Sequence, residues 1–348
     1  MEDTLTSAAH YATPQAATAA IRDLARRTDW GGSQDTNRKI QAILHDRFLS
    51  RVFTAPDIKD RWLLKGGFGI LARIPDARYT RDIDMLSSEH DFDNARRDLM
   101  RAATTDLGDH LTFRLVRARS KRSEEAGGAG SAQFDCFAGT KKLGTISIDL
   151  AFNRRTPTGA ITSQTSQMLP RRSHFISAPY RLFPVTDQIA DKVCAIMRSY
   201  APNTHPSSRE KDLLDIALLL RHSQIDAGEL ATAIRSEQVF RGLPHFDRLR
   251  IPDNWGDRYK QHLREISIDT TGLEDVAAAA RYVATQLDPI LSGTISAGTW
   301  SDRTGWVHSE LPLPPQSSSS NASGEYCGAP TQHGGACQRR GRCPYHSR

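Results

Sequence analysis

The sequence has little cysteine, five residues in 348, and distributes it unevenly. Cys136 and Cys194 stand singly in apolar surroundings, whereas Cys327, Cys337 and Cys343 crowd into the C-terminal tail. That is not the paired spacing of a disulfide-stapled secreted scaffold, and the first two are expected to be buried core thiols. The chain also lacks an apolar run long enough to cross a bilayer, and its opening residues, MEDTLTSAAHY, lack the basic-then-apolar order of a signal peptide. The expectation is a cytoplasmic protein with no membrane partner. Aromatics are sparse at 7%, yet 38% apolar and 25% charged residues describe an ordinary globular protein. The length suits about two domains, or one large one with additions. A formal charge of +6 favours polyphosphate or nucleic-acid partners and equally describes many proteins without either.

Hydrophobic periodicity predicts helices over residues 14 to 28, with Thr13 as cap and Pro14 in the first turn, and over 35 to 50. A short apolar run, Trp62 to Leu64, then reaches Lys65-Gly66-Gly67, a short FGILAR helix and a turn at Pro75-Asp76. Asp82, Ile83 and Asp84 alternate as a strand does, with both carboxylates on one face and Ile83 toward the core. A helix over 91 to 105 follows, then strands over 111 to 120, 132 to 140 and 145 to 153. The polar segment SKRSEEAGGAGS joins the first two as a hairpin loop. From about residue 184 the pattern is helical: PVTDQIADKVCAIMRSY, a break at Pro202 and Pro206, and SREKDLLDIALLLRHS capped by Ser207 or Ser208. Further helices are expected near 226 to 237, 254 to 268 and 271 to 287. The fold class is therefore α+β, a mixed-sheet core (residues 1–180, with N-terminal helices) followed by a helical bundle (181–298). A Ser/Pro-rich linker (299–326) and a small Cys/His tail (327–348) complete the organisation.

Two carboxylates on one strand face are spaced to share divalent metal, and magnesium prefers oxygen ligands. Asp149, isolated on the strand TISIDLAF, adds a third carboxylate if that strand lies beside the first, as a metal ligand or as a base for an attacking hydroxyl. The Gly66-Gly67 turn offers backbone donors to phosphate oxygens. Lys65 either adds charge there or simply ends its strand. Lys192 is a candidate for the β or γ phosphate. Asp212 and Asp215, three apart, share a helix face; one orients Lys192 or Arg209 and the other holds the acceptor. This is the inventory of nucleotidyl transfer, metal on acidic side chains plus neutralised triphosphate. Asp-x-Asp, Gly-Gly or a helical lysine alone would each be read as a solvated edge, a turn or a surface charge.

These segments resemble the AbiEii family of nucleotidyltransferase toxins of type IV toxin–antitoxin and abortive-infection systems. The likeness is carried by LLKGG followed by RYTRDIDM, by ISIDLAF, by DQIADKVCAIMRSY and by REKDLLDIALL, over roughly residues 35 to 285. It implies a nucleotidyltransferase core and helical bundle, with Asp82 and Asp84 on Mg2+, Lys192 on the nucleotide and Asp212 as the acid of the helical lobe. Thr80 matches a hydroxyl beside the acidic pair, with Lys65, Gly66, Gly67 and Asp215 completing the nucleotide set. The resemblance further implies a nucleoside triphosphate substrate, the 3′ end of tRNA as acceptor with translation blocked, and a separate antitoxin. A protein or small-molecule acceptor, or a non-catalytic nucleic-acid-binding module, remain as alternatives. The Ser-rich linker and the tail depart from the shorter members. In the tail, Cys327, Cys337, Cys343 and His346 present three thiolates and an imidazole for a structural Zn2+, with His333 competing. Arg339, Arg340 and Arg342 suit either nucleic-acid contact or solubility.

Overall fold

A computed structural model describes residues 11–27, 36–74, 77, 80–121, 127–165, 175–198 and 209–307. The apolar run at Trp62 becomes β1 (Trp62–Lys65), and the two glycines open α3 (Gly66–Arg73). The chain returns antiparallel to β1 as β2 (Asp82–Ser87), with Lys65 opposite Asp84. The three alternating strands form a meander of β3 (Leu111–Lys121), β4 (Gly128–Ala138) and β5 (Lys141–Phe152). β5 pairs parallel to β2, so the meander joins the β1–β2 pair in one sheet. Two short strands with no alternation to betray them, β6 (Thr162–Thr165) and β7 (Pro179–Leu182), complete it in the order β3-β4-β5-β2-β1-β7-β6. β7 runs parallel to β1, so the sheet is mixed, as expected, and extends just past the anticipated boundary at residue 180.

Three differences from the sequence reading have physical causes. The meander loop is shorter than SKRSEEAGGAGS suggests, because β4 already begins at Gly128. Its glycines are covered by aromatic rings: a Cβ at Gly128 would lie 1.9 Å from the Phe152 ring, and one at Gly130 2.5 Å from that of Phe92. The helix expected over 254 to 268 shortens to α8 (Asp257–Leu263). The linker expected from residue 299 begins later, since β9 (Thr299–Ser301) and β10 (Gly305–Val307) form a hairpin added to β8 (Ile225–Asp226). Its anchor is Trp300, 4% exposed, whose indole N–H donates to Leu220 O at 2.7 Å.

α1 (Pro14–Arg27) is capped by Thr13, whose Oγ1 accepts from Ala16 N at 3.1 Å. α2 (Thr36–Thr54) is buried on most sides, against the sheet and against α4 (Phe92–Ala103). It therefore carries polar groups into the core, and they are paired. Arg51 grips Asp109 through both terminal nitrogens, at 2.6 and 3.1 Å, and donates to Leu111 O at 2.8 Å. The Tyr180 hydroxyl donates to Asp46. Cys136 and Cys194 are free buried thiols, as expected, each pushed up to about 12 by burial.

The helical part consists of α5 (Val185–Met197), α6 (Glu210–His222), α7 (Ala227–Arg241), α8 and α9 (Val276–Leu291). α6 is its axis: Leu213, Leu214, Ile216, Ala217, Leu218, Leu219 and Leu220 are all fully buried, against α5, α8 and α9. α7 has an Asp226 N-cap and ends at Gly242 in the left-handed region, φ 64°. The proposed caps Ser207 and Ser208 lie outside the described residues, as does the chain beyond Val307. Among the described residues no helix is long and apolar enough to cross a membrane.

Two predictions follow the buried polar groups of α2. Asp109→Ala leaves the Arg51 guanidinium unpaired in the core and should cost about 3–5 kcal/mol in denaturant unfolding; a change below 1 kcal/mol (~) would show the pair to be dispensable. Burial lowers the His45 pKa to about 3, so the native state keeps it neutral where the unfolded chain takes up a proton. The stability held in this way is complete above about pH 6.5 and is lost as pH falls toward 3. Urea titrations between pH 7 and 5 should show stability falling with acidification, with a shallower slope for His45→Leu.

Candidate active site

Lys65-Gly66-Gly67 and the strand bearing Asp82 and Asp84 meet in one close contact. Gly66 has φ 61°, and a Cβ there would lie 1.9 Å from Asp84 Oδ2. A Cβ on Gly67 would lie 2.8 Å from the Thr80 side chain. The glycines are thus required twice, for the left-handed turn at Gly66 and for the approach of a carboxylate and a hydroxyl to the start of α3. Gln188 of α5 holds the turn from behind, its Nε2 donating to Gly66 O at 2.8 Å. The first amides of a helix point outward without intrahelical acceptors, which suits them to phosphate oxygens.

Ile83 is fully buried while Asp82 and Asp84 stand on the opposite face of β2. The parallel register sets Asp84 beside Asp149 and Asp82 beside Ser147. All three carboxylates therefore share one sheet face. Burial raises the pKa of Asp84 and Asp149 adds to this, while Lys65, Lys211 and Lys192 oppose it. Asp82 is raised in the same way, first by burial and then by Asp149. Among the described residues neither side chain has a hydrogen-bond or ion-pair partner. Asp149 is engaged: Lys121 Nζ lies 2.6 Å from its Oδ1. Among the described residues no group of three or more His, Cys, Asp or Glu side chains is close enough to hold a metal ion unaided.

Facing the glycine turn is a wall of cations from the helical part, and the cleft between them has a volume of about 240 Å³. Lys192 is buried and bonded to Asp212 Oδ1 and Asp215 Oδ2, both at 2.7 Å. Asp212 also accepts from Arg209 at 3.3 Å. Lys65 lies 3.4 Å from Asp191, which also bonds Arg241 and faces Arg154. Burial alone would raise the Asp191 pKa, but Lys65, Arg241 and Arg154 outweigh it and hold the carboxyl well below its ordinary range. Glu237 then braces Arg154, Arg155 and Arg241, at 3.1, 2.9 and 2.6 Å. Lys65, Gly66, Gly67, Thr80, Asp84, Lys192 and Asp212 all line this cleft, with Asp82 and Asp149 continuing the same strand face beside it. Asp215 is placed behind Lys192, fully buried, where it fixes the ammonium. Cys327, Cys337, Cys343 and His346 lie outside the described residues.

Sequence reasoning missed Asp191, Arg154, Arg241, Gln188 and Lys121, and gave Lys211 no role although it lines the cleft. Gln188 precedes Lys192 by four, a signal that the two share a helix face, whereas Asp191, one residue before Lys192, carries no such signal. Arg154 and Arg241 carry no local signal: the packing of α7 on α5 brings in Arg241, and Arg154, just after β5, reaches the site by its ion pair with Glu237 of α7.

The arrangement suits a polyphosphate: outward amides at a helix start, lysines and arginines on one side, and unpaired carboxylates for a cation on the other. The family described as nucleotidyl transferase AbiEii toxin, type IV TA system, matches residues 47–286. Comparison with curated proteins finds no match. Among solved structures the chain is similar to MenT4, nucleotidyltransferase toxin Rv2826c from Mycobacterium tuberculosis H37Rv, at 15% identity over 78% of this chain and 89% of that one, TM-score 0.50. It also aligns with JHP933 from Helicobacter pylori at 12% identity over 75% of this chain and 94% of that one, TM-score 0.40.

Gly66→Ala should place a methyl group on the Asp84 carboxylate and impose a left-handed φ on alanine. Calorimetric titration with nucleoside triphosphate should show affinity reduced at least tenfold (~) while circular dichroism remains that of the folded protein. Wild-type affinity in this variant would mean that the glycine turn does not meet the nucleotide.

Proposed function

The chain belongs to the AbiEii family of nucleotidyl transferase toxins, and from that premise we propose that it transfers a nucleoside monophosphate to the 3′ end of an RNA, tRNA foremost, so as to block translation. The observation that supports this most is the convergence on one cleft of Asp84, the Gly66 turn, Lys65, Lys192 and Lys211. Two carboxylates on one strand face, with no hydrogen-bond or ion-pair partner among the described residues, suit a divalent cation, whose charge would offset the burial that raises both pKa values. Two of them suffice if phosphate oxygens complete the shell, as Mg2+ commonly allows. Asp82 and Asp84 would hold that cation, which would neutralise charge on the triphosphate and on the departing pyrophosphate.

The remaining roles belong to side chains and backbone. Gly66 and Gly67 direct amides at phosphate oxygens, and Lys192, fixed by Asp212 and Asp215, presents a positioned positive charge. Lys65 and Arg241 are held in position by Asp191, which lines the cleft beside them. The acceptor hydroxyl attacks the α phosphorus; its oxygen forms the new P–O bond as the bond to the β-phosphate oxygen breaks and pyrophosphate leaves. Asp149, on the shared face, accepts the hydroxyl proton. A separate antitoxin is the regulatory partner in this reading. None of the transfer chemistry requires Cys327, Cys337, Cys343 or His346.

The test is incubation of the purified protein with total bacterial RNA, Mg2+ and each α-labelled nucleoside triphosphate, beside the Asp82→Ala/Asp84→Ala variant. The expected result is label in a tRNA-sized band for wild type alone. Label on protein or on small molecules instead of RNA would replace the acceptor; label equally strong with the variant would remove the carboxylates from the mechanism.

A further inference from the structure

The sheet face that carries the three carboxylates does not stop at them. Across β4 it reaches the edge strand β3, through the registers Asp149–Ser131–Arg119 and Ser147–Gln133–Arg117. Side-chain contacts confirm that these positions share the face: Gln133 donates to Ser147 at 3.3 Å, and Lys121 reaches Asp149 at 2.6 Å. The opposite face of the same strands is core, with Phe113, Phe134 and Ile146 buried. β3 reads LTFRLVRARSK, four cations and no acid. A bulge between Leu115 and Arg117 re-aims the strand so that Arg117, Arg119 and Lys121 fall on the carboxylate side, as Arg114 does before it. Arg114, Arg117, Arg119 and Lys121 are exposed. Among the described residues Arg117 and Arg119 have no ion-pair partner, and Arg114 stacks over Phe137, 4.9 Å from the ring centroid.

Charge of either sign on an edge strand discourages strand pairing, but that need does not explain a single sign, a single face and continuity with the catalytic carboxylates. We propose that this face, from Lys121 to Arg114, is the track on which the 3′-terminal single strand of the acceptor nucleic acid lies, its terminal hydroxyl at Asp149 and Asp82. The inference rests on the transferase reading of the cleft and adds to it where the acceptor binds. Alternate residues of a strand recur every ~6.6 Å, which spreads the cations over about 20 Å of edge as a ladder for backbone phosphates. Phe137, half-buried beside Arg114, offers a ring to a base, the combination of cations and aromatic surface by which single strands are held without sequence readout. Lys121 links the two regions, one end of the ladder being the ion-pair partner of a catalytic-face carboxylate.

The test compares wild type with Arg117→Ser/Arg119→Ser, substitutions at exposed strand positions that leave the core and the cleft untouched. Binding of a fluorescent twelve-residue oligoribonucleotide is measured by anisotropy in EDTA over a range of salt, and nucleoside triphosphate binding by calorimetry. The variant should bind the oligonucleotide at least tenfold (~) more weakly, and its slope of log K against log salt should fall by about 1.4, the value for two lost phosphate contacts on a single strand. Triphosphate affinity should be unchanged. Equal affinity and equal slope in the two proteins, or no oligonucleotide binding by wild type, overturns the track. An acidic polypeptide of equal charge that displaces the oligonucleotide at equimolar concentration overturns nucleic acid as its occupant. The two readings fail separately. RNA labelling that survives with wild-type RNA affinity in the variant sinks the track alone. Track-dependent RNA binding by a wild type that transfers no nucleotide sinks the transferase reading alone.

Discussion

The contact of the Asp84 carboxylate with the backbone of Gly66 is the constraint around which the site is organised. A carboxylate occupies the space of a side chain, so the strand that carries it and the helix that begins at Gly66 are locked at one separation. Everything else is placed relative to that pair. β1 delivers Lys65 opposite Asp84, β5 delivers Asp149 on its other side, and α5 reaches the glycine carbonyl through Gln188. The contact brings partial positive charge at a helix start next to a formal negative one, a favourable arrangement that remains open to a ligand on the cleft side.

The helical part contributes charge of the opposite sign at considerable cost. Burying Lys192 would be prohibitive without the two aspartates that flank it, and the buried Arg241 is paired in turn by the half-buried Asp191 and by Glu237. Lys192 is thus backed by two carboxylates deeper in the protein, and Glu237 backs three arginines at once. This layering holds the cations in place before any anion arrives, so that little reorganisation accompanies binding. α6, buried along most of its length, bears Asp212 and Asp215, so a rigid axis fixes the carboxylates that fix the lysine.

The sequence made the carboxylate half of the site legible because its signals are local. Alternation fixed the face of Asp82 and Asp84, and the apolar pattern around Asp149 placed it on a second strand. Their adjacency needed the parallel pairing of β2 with β5, which no local pattern encodes. The Lys192, Asp212 and Asp215 triad was half-visible: helical spacing put both aspartates on one face and one of them on Lys192 or Arg209, and the structure has both bonded to the lysine. Arg154 and Arg241 were invisible because their placement depends on contacts over a long sequence separation, Arg154 with Glu237 and Arg241 through the packing of α7 on α5. The two tryptophans of the terminal hairpin were hidden by the polar composition around them, although Trp300 and the turn before Gly305 carried the signal.

The cleft is closed by residues as far apart in the chain as Lys65 and Arg241, and the order in which they leave the ribosome has a consequence. A nascent chain that ends before α6 already has its carboxylates and its glycine turn, but lacks the aspartates that make Lys192 tolerable in the interior. Competence therefore arrives all at once, after most of the chain has been synthesised, rather than growing with length. In a family of nucleotidyl transferase toxins, this topology ties completion of the cleft to synthesis of most of the chain.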